Sequence, residues 1–306
     1  MAAADRYGEG MRELLYPTAD AYLAAPAKSV ALFGMSGLGK TRTAAMLREE
    51  SGWFHYSVDY RIGTRYMGEH IVDNFKREAM RVPFLRDLLR SDSIYIASNI
   101  SFANLSPLST YLGKPGDPAK GGIPFADYLE RQRQHREAEI RALLDTPLFQ
   151  HKATDLYGYE NFLCDTGGSI CEVVNPEDPA DPVLTALADC TLLVQIEGTA
   201  ALEQELVRRF ERHPKPMYYP EDFLVTLWEE YRGSHGFAED AVDPDAFIVW
   251  GYRRLLAHRV PRYGAMARHW GVSVTAAEIE RVRSPAAFDA LIASAIARRA
   301  GGEAPS

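Results

Sequence analysis

The chain has 306 residues, of which 34 are Lys or Arg and 42 are Asp or Glu, for a formal net charge of −8. Nucleic-acid footprints are normally basic, so this balance weighs against one. With 46% hydrophobic and 25% charged residues, disordered and fibrous classes are excluded, and the length fits two domains or one large α/β domain with an insertion.

The first residues, MAAADRYGEGMREL, have neither a basic n-region nor an apolar h-region, so they do not read as a secretory signal. No stretch approaches the roughly 20 uninterrupted apolar residues of a membrane helix. Cys164, Cys171 and Cys190 cannot all pair and lack metal-ligand spacing, which fits reduced, buried thiols in a cytoplasmic protein.

In chain order, an N-terminal segment that could be helical precedes the apolar run at 28–34, which reads as a buried parallel strand ending in a glycine loop. A helix follows from 40 to about 50, then an aromatic and β-branched strand at 53–58 that ends at Asp59. Residues 60–158 read as a mostly helical insertion, with helices at 68–80, 83–91 and 124–144 and a Gly/Pro-rich loop at 113–122. Strand character returns at 160–164, 191–196 and 270–274. Helical stretches occupy 200–212, 220–232 and 247–258, and a last helix begins near Ser284-Pro285. Five strands alternating with helices imply a parallel sheet covered on both faces.

One motif carries chemistry. Gly34-Met35-Ser36-Gly37-Leu38-Gly39-Lys40-Thr41 fits G-x-x-x-x-G-K-[ST] at every fixed position, between a strand and a helix. Glycines let successive backbone N–H groups converge on phosphate oxygens at a helix N-terminus. Lys40 is expected to reach the β- and γ-phosphates of ATP and the Thr41 hydroxyl to bind Mg²⁺, with Thr43 in the nucleotide-binding set.

Asp165 follows the third strand and is the expected second Mg²⁺ ligand, direct or through water. Gly167 and Gly168 would let a substrate approach the backbone. Glu197, at the end of the next strand, ranks below Asp165 because no glycine platform accompanies it. Asp59 could accept a proton from an acceptor hydroxyl, and Arg61 and Arg65 could hold an anionic acceptor. The cluster Arg131, Arg133, His135 and Arg136, interleaved with Glu130, Glu137 and Glu139, reads as a solvated helix laced with i,i+4 pairs.

Together these residues resemble the shikimate kinase and related small-molecule kinase group of P-loop proteins, within the nucleoside monophosphate kinase-like fold. Asp59-Tyr60-Arg61-Ile62 resembles the group's substrate-binding D-x-x-I, and Thr166-Gly167-Gly168 the start of its glycine triplet. Residues 192–197, the following helix and Pro214-Lys215-Pro216 are similar to its fourth strand, helix and lid. Residues 271–274 and the closing helix resemble its last strand, adenine-side loop and final helix. The resemblance spans about 29–59, 160–215 and 270–297. It departs at Ser57, where the family usually has an aspartate, at Ser169 in place of a third glycine, and at the lid, where Arg208, Arg209, Arg212 and Lys215 stand in by position.

The resemblance implies a P-loop NTPase three-layer α/β/α sandwich with a five-stranded parallel sheet. Its core would comprise 1–59 and 159–306 with a lid at about 200–232, and 60–158 would form the acceptor-binding insertion. It implies transfer of the γ-phosphate of Mg-ATP to a hydroxyl of a small acceptor other than shikimate, with Lys40, Asp59, Asp165, Arg208 and Arg212 as catalytic residues. Two alternatives remain open. One is a regulatory nucleotide-binding ATPase whose insertion meets a protein partner; the other is a group-transfer enzyme whose acceptor is a nucleotide or nucleic acid. Homo-oligomerisation is also left open.

Overall fold

The structure, a computed structural model, describes residues 11–301; the first ten residues, on which the reading of a signal-free N-terminus partly rests, lie outside these. The chain forms two compact units, one of residues up to 58, 143–209 and from 254, the other of 59–142 and 210–253.

The first unit is built on β1 Ser29–Phe33, β2 Trp53–Ser57, β3 Asn161–Asp165, β4 Leu192–Glu197 and β5 Gly271–Thr275. They form one all-parallel sheet in the order β2-β3-β1-β4-β5. Every residue of β1 is buried, so both faces of the sheet are covered, as its unbroken apolar run requires. Helix Lys40–Ser51 packs on β2 and β3 and against helix Pro285–Gly301, while helices Thr146–Asp155 and Pro182–Cys190 pack together on β2, β3 and β4. This arrangement is consistent with a three-layer α/β/α fold.

Local chemistry fixes the helix starts. Asp181 caps Pro182–Cys190, its Oδ1 accepting from the N–H groups of Val183 and Leu184 at 3.0 and 2.9 Å. Thr275 and Glu278 form a capping box on helix Ala276–Arg281. Gly271 opens β5 where β4 runs so near that a Cβ would overlap the Leu193 carbonyl.

The sequence placed all five strands within a residue or so. Two of those small differences matter for chemistry. β3 extends to include Asp165, and β2 stops at Ser57, so Asp59 lies not at a strand end but in the helical turn Val58–Arg61. The turn continues into a π-helix at Ile62–Tyr66, closed by a hydrogen bond from Met67 N–H to Ile62 C=O. Ile62, Met67 and Ile71 are all fully buried, and the five-residue step from Ile62 to Met67 needs that wider turn to stay on one face.

In the second unit, the Phe125 ring stacks on Trp228 at 4.7 Å, and Trp228 meets Phe247 edge-on at 4.9 Å. Gln132, on helix Phe125–Leu144, accepts from Tyr219 N–H at 2.9 Å, and Arg133 Nε donates to Glu221 at 2.7 Å. These contacts draw 210–253 into the unit of 59–142, while 143–158 belongs with the sheet. The expected boundaries, a lid at 200–232 and an insertion at 60–158, therefore differ from the observed division. The partners lie about a hundred residues apart in sequence, so no local pattern announces them.

The basic cluster is also less solvated than its charges imply. Arg133 and Arg141 form surface pairs, but His135 and Glu139 are buried, and the His135 ring stacks on Tyr218 at 4.9 Å.

All three thiols are free. Burial pushes Cys171 and Cys190 up to about 12 and Cys164 well above the usual thiol range, so little thiolate exists at neutral pH. The folded protein at pH 8 is therefore expected to resist a thiol-reactive disulfide reagent, with full labelling only in denaturant. Rapid labelling of the native protein contradicts this. Gly271→Ala is expected to force β5 off β4 and cost about 1–3 kcal/mol, measurable as a lowered urea midpoint.

Candidate functional site

The carboxyl ends of β1 and β3 lie side by side, with Leu32 in register with Asp165 and, on the far side of β3, Ser57 also in register with Asp165. Open parallel sheets bind ligands at this edge. Here the chain leaves β1 through the loop 34–39 and enters helix Lys40–Ser51.

Three glycines shape that loop. Gly34, Gly37 and Gly39 have φ of +132°, +90° and +99°, values that side chains strongly disfavour. At Gly34 a Cβ would also sit 2.6 Å from the Ile196 carbonyl oxygen. Met35 and Leu38 are 4% and 5% exposed and anchor the loop inward, whereas Ser36 and Gly37 are open to solvent. The buried Met35 and Leu38 side chains thus face the protein interior, and only their backbone is offered to a ligand.

The helix that follows has no side-chain N-cap and no acidic residue in its first turn. Its N-terminal amides and positive dipole end therefore lack an anionic side chain of their own to neutralise them. Lys40 is buried, and its Nζ donates to the carbonyls of Gly34 and Met35 at 2.7 and 2.9 Å, which holds an ammonium ion across the loop. Thr41 Oγ1 donates to Asp165 Oδ2 at 2.9 Å, and Asp165 Oδ1 accepts from Gly167 N–H at 3.2 Å. Thr43 is 2% exposed, and its hydroxyl has no hydrogen-bond partner among the described residues.

Gly167 has a φ of +76°. Gly168 faces Ser36 so closely that a Cβ would overlap the Ser36 hydroxyl. A turn thus requires the glycine at 167, and the neighbouring loop requires the one at 168. Two further contacts fasten the Gly168 carbonyl: Tyr263 Oη donates to it at 2.6 Å and Arg259 Nη1 at 2.8 Å.

The structure therefore brings together residues 34–41, Asp165, Gly167 and Gly168 within the first unit. Glu197 is exposed at the end of β4. Arg208 is on helix Ala200–Arg212, exposed, with its guanidinium on Glu205 at 3.1 Å, and Arg209 pairs with the same carboxylate. Arg212 is exposed and, like Asp59, Arg61 and Arg65, belongs to the second unit. There Asp59 is half-buried, the Arg61 guanidinium lies 5.4 Å from the Tyr66 ring centre, and Arg65 is exposed. Sequence reasoning did not find Glu172, Arg259 and Tyr263, whose contacts join positions about 90 residues apart without a motif.

The hydroxyl of Thr41 and the carboxylate of Asp165 form an all-oxygen pair of the kind that suits Mg²⁺, and the loop beside them suits a phosphate. Among the described residues no group of three or more His, Cys, Asp or Glu side chains is placed to hold a metal, and no helix is long and apolar enough to cross a membrane. Comparison with protein-family models, curated proteins and solved structures finds no match.

Proposed function

We propose that residues 34–41 are a P-loop that binds the phosphates of ATP, and that the protein is a phosphotransferase acting on a hydroxyl of a small acceptor. The observation that carries this reading is the uncapped N-terminus of helix Lys40–Ser51, with the Lys40 ammonium folded across its loop and Thr41 bonded to Asp165.

In this reading Lys40 exchanges the carbonyl oxygens of Gly34 and Met35 for phosphate oxygens, and the loop amides and helix dipole add positive potential. Thr41 and Asp165 are the residues that would hold Mg²⁺, which when bound neutralises charge on the nucleotide phosphates. Arg208, in the same unit as the loop, supplies positive charge from the helix after β4. For Arg208 this requires release from Glu205, a modest cost for an exposed pair. A kinase of the shikimate kinase-like group remains the family suggested by these motifs. A cytoplasmic location rests on the three unpaired thiols.

Titration calorimetry is expected to detect Mg-ATP binding by the wild type and to find it reduced about 10²-fold in Lys40→Ala. Absence of binding by the wild type refutes the P-loop reading. A ³¹P NMR screen of hydroxylated metabolites is expected to show a phosphorylated product, reduced in Arg208→Ala while ATP affinity persists. Tight ATP binding with hydrolysis but no acceptor would point to the regulatory ATPase instead.

A further inference from the structure

A buried charged network lies behind the proposed phosphate loop, within the same unit. Glu172 follows β3 in a short 3₁₀ turn, Ile170–Glu172, and its side chain is fully buried. Arg259, 3% exposed on helix Pro244–Trp270, places Nε 2.9 Å from Glu172 Oε1. His258 Nδ1 lies 3.2 Å from the same carboxylate. Arg262 donates to the carbonyls of Cys171 and Val174 at 2.6 and 2.8 Å. Side chains at 258, 259, 262 and 263 thus grip the segment 168–174 from one helix face.

A buried guanidinium is costly unless it is paired and hydrogen-bonded. Burial disfavours the charged Arg259 guanidinium, but its surroundings outweigh burial and the net shift is upward. Burial holds the Tyr263 phenol well above its ordinary range and Cys171 up to about 12, so both are neutral at pH 7. The Glu172 carboxylate is then the counterion in that group.

Arg259 and Tyr263 converge on one oxygen, the Gly168 carbonyl. A planar trans peptide held by its carbonyl has its N–H direction fixed as well, so the two donors set the whole Gly168–Ser169 peptide plane. Gly168 also lies so near Ser36, at the exposed tip of the loop, that a Cβ at 168 would overlap the Ser36 hydroxyl. Displacing Gly168 would break two hydrogen bonds, one of them from a charged donor, and little space separates it from Ser36.

We infer that Tyr263 and Arg259 are positioning residues that hold the proposed phosphate loop in its binding shape, acting through the Gly168 carbonyl and Gly168's contact with Ser36. This rests on the P-loop reading of residues 34–41. Neither residue needs to touch the nucleotide. The geometry requires only that the backbone of Ser36 and Gly37 be backed by an immobile wall.

The test is a double-mutant cycle on Mg-ATP affinity by calorimetry, with Tyr263→Phe and Ser36→Ala. Thermal unfolding is followed in parallel, and Leu187→Ala serves as a core-destabilised control away from the loop. Tyr263→Phe keeps the ring and loses one donor, so it is expected to fold and to weaken Mg-ATP binding about 10-fold, with a larger effect in the wild-type background than in the Ser36→Ala background. Arg259→Lys is expected to weaken binding more than Tyr263→Phe. The control is expected to lose stability but keep its affinity. Unchanged affinity in Tyr263→Phe, strictly additive effects with Ser36→Ala, or an equal affinity loss in the control would each overturn the inference while leaving the P-loop reading intact. A wild type that does not bind Mg-ATP would instead remove the P-loop reading itself.

Discussion

The hydrogen bond from Thr41 to Asp165 joins the first turn of a helix to the end of a strand 124 residues away in the chain. It exists because β3 lies beside β1 in a parallel sheet, with Leu32 in register with Asp165. That register brings the end of β3 beside the loop leaving β1, on the edge where the helix that follows presents its N-terminus. A one-residue slip of β3 would turn Asp165 to the other face and leave Thr41 without its partner. The register is held by burial on both faces, since β1 is buried throughout and β3 is buried from Phe162 to Asp165.

Around this contact the backbone is under unusual demands. Glycines 34, 37, 39 and 167 all have positive φ, and Gly34 and Gly168 also lie too near other atoms to carry a side chain. Such a loop has little local preference for one shape and depends on its surroundings for order. Those surroundings are the inward anchors Met35 and Leu38, the Lys40 contacts to its own loop, and the donors that fasten Gly168 from behind. The second unit is organised differently, around stacked aromatic rings at Phe125, Trp228 and Phe247 and a helix that buries Tyr128, Gln132, His135 and Glu139 along one face. Tyr128 and Gln132 both donate to the Met217 carbonyl, so part of that buried polarity serves to dock the segment 217–219.

Much of the first unit was legible in the sequence because its signals are local. An apolar run of five or six residues makes a buried strand, and a glycine loop followed by Lys-Thr and a helical pattern makes a strand–loop–helix passage. The paired glycines at 167 and 168 marked a special backbone, and the structure gives it a turn at Gly167 and the proximity of Ser36 to Gly168. Asp59 was misplaced because its strand ends earlier and gives way to a π-helical passage, a wider turn imposed by the burial of Ile62, Met67 and Ile71. The unit boundaries differ from the expected ones for a related reason. Residues 210–253 join 59–142 through ring stacking and side-chain hydrogen bonds between distant positions, and such pairings leave no periodicity.

The sequence by itself determined the elements of the sheet and the composition of the loop 34–41, since strand burial and glycine φ freedom are properties of short segments. Only the tertiary structure decided which carboxylate meets Thr41. Asp165 and Glu197 both end strands, but Asp165 is buried in register with Leu32, while Glu197 ends β4 exposed. It also decided that Arg259, Glu172 and Tyr263 converge behind Gly168. The physical reason is the same in both cases: a charged or polar group acquires its partners from strands and helices that burial, not sequence proximity, brings together.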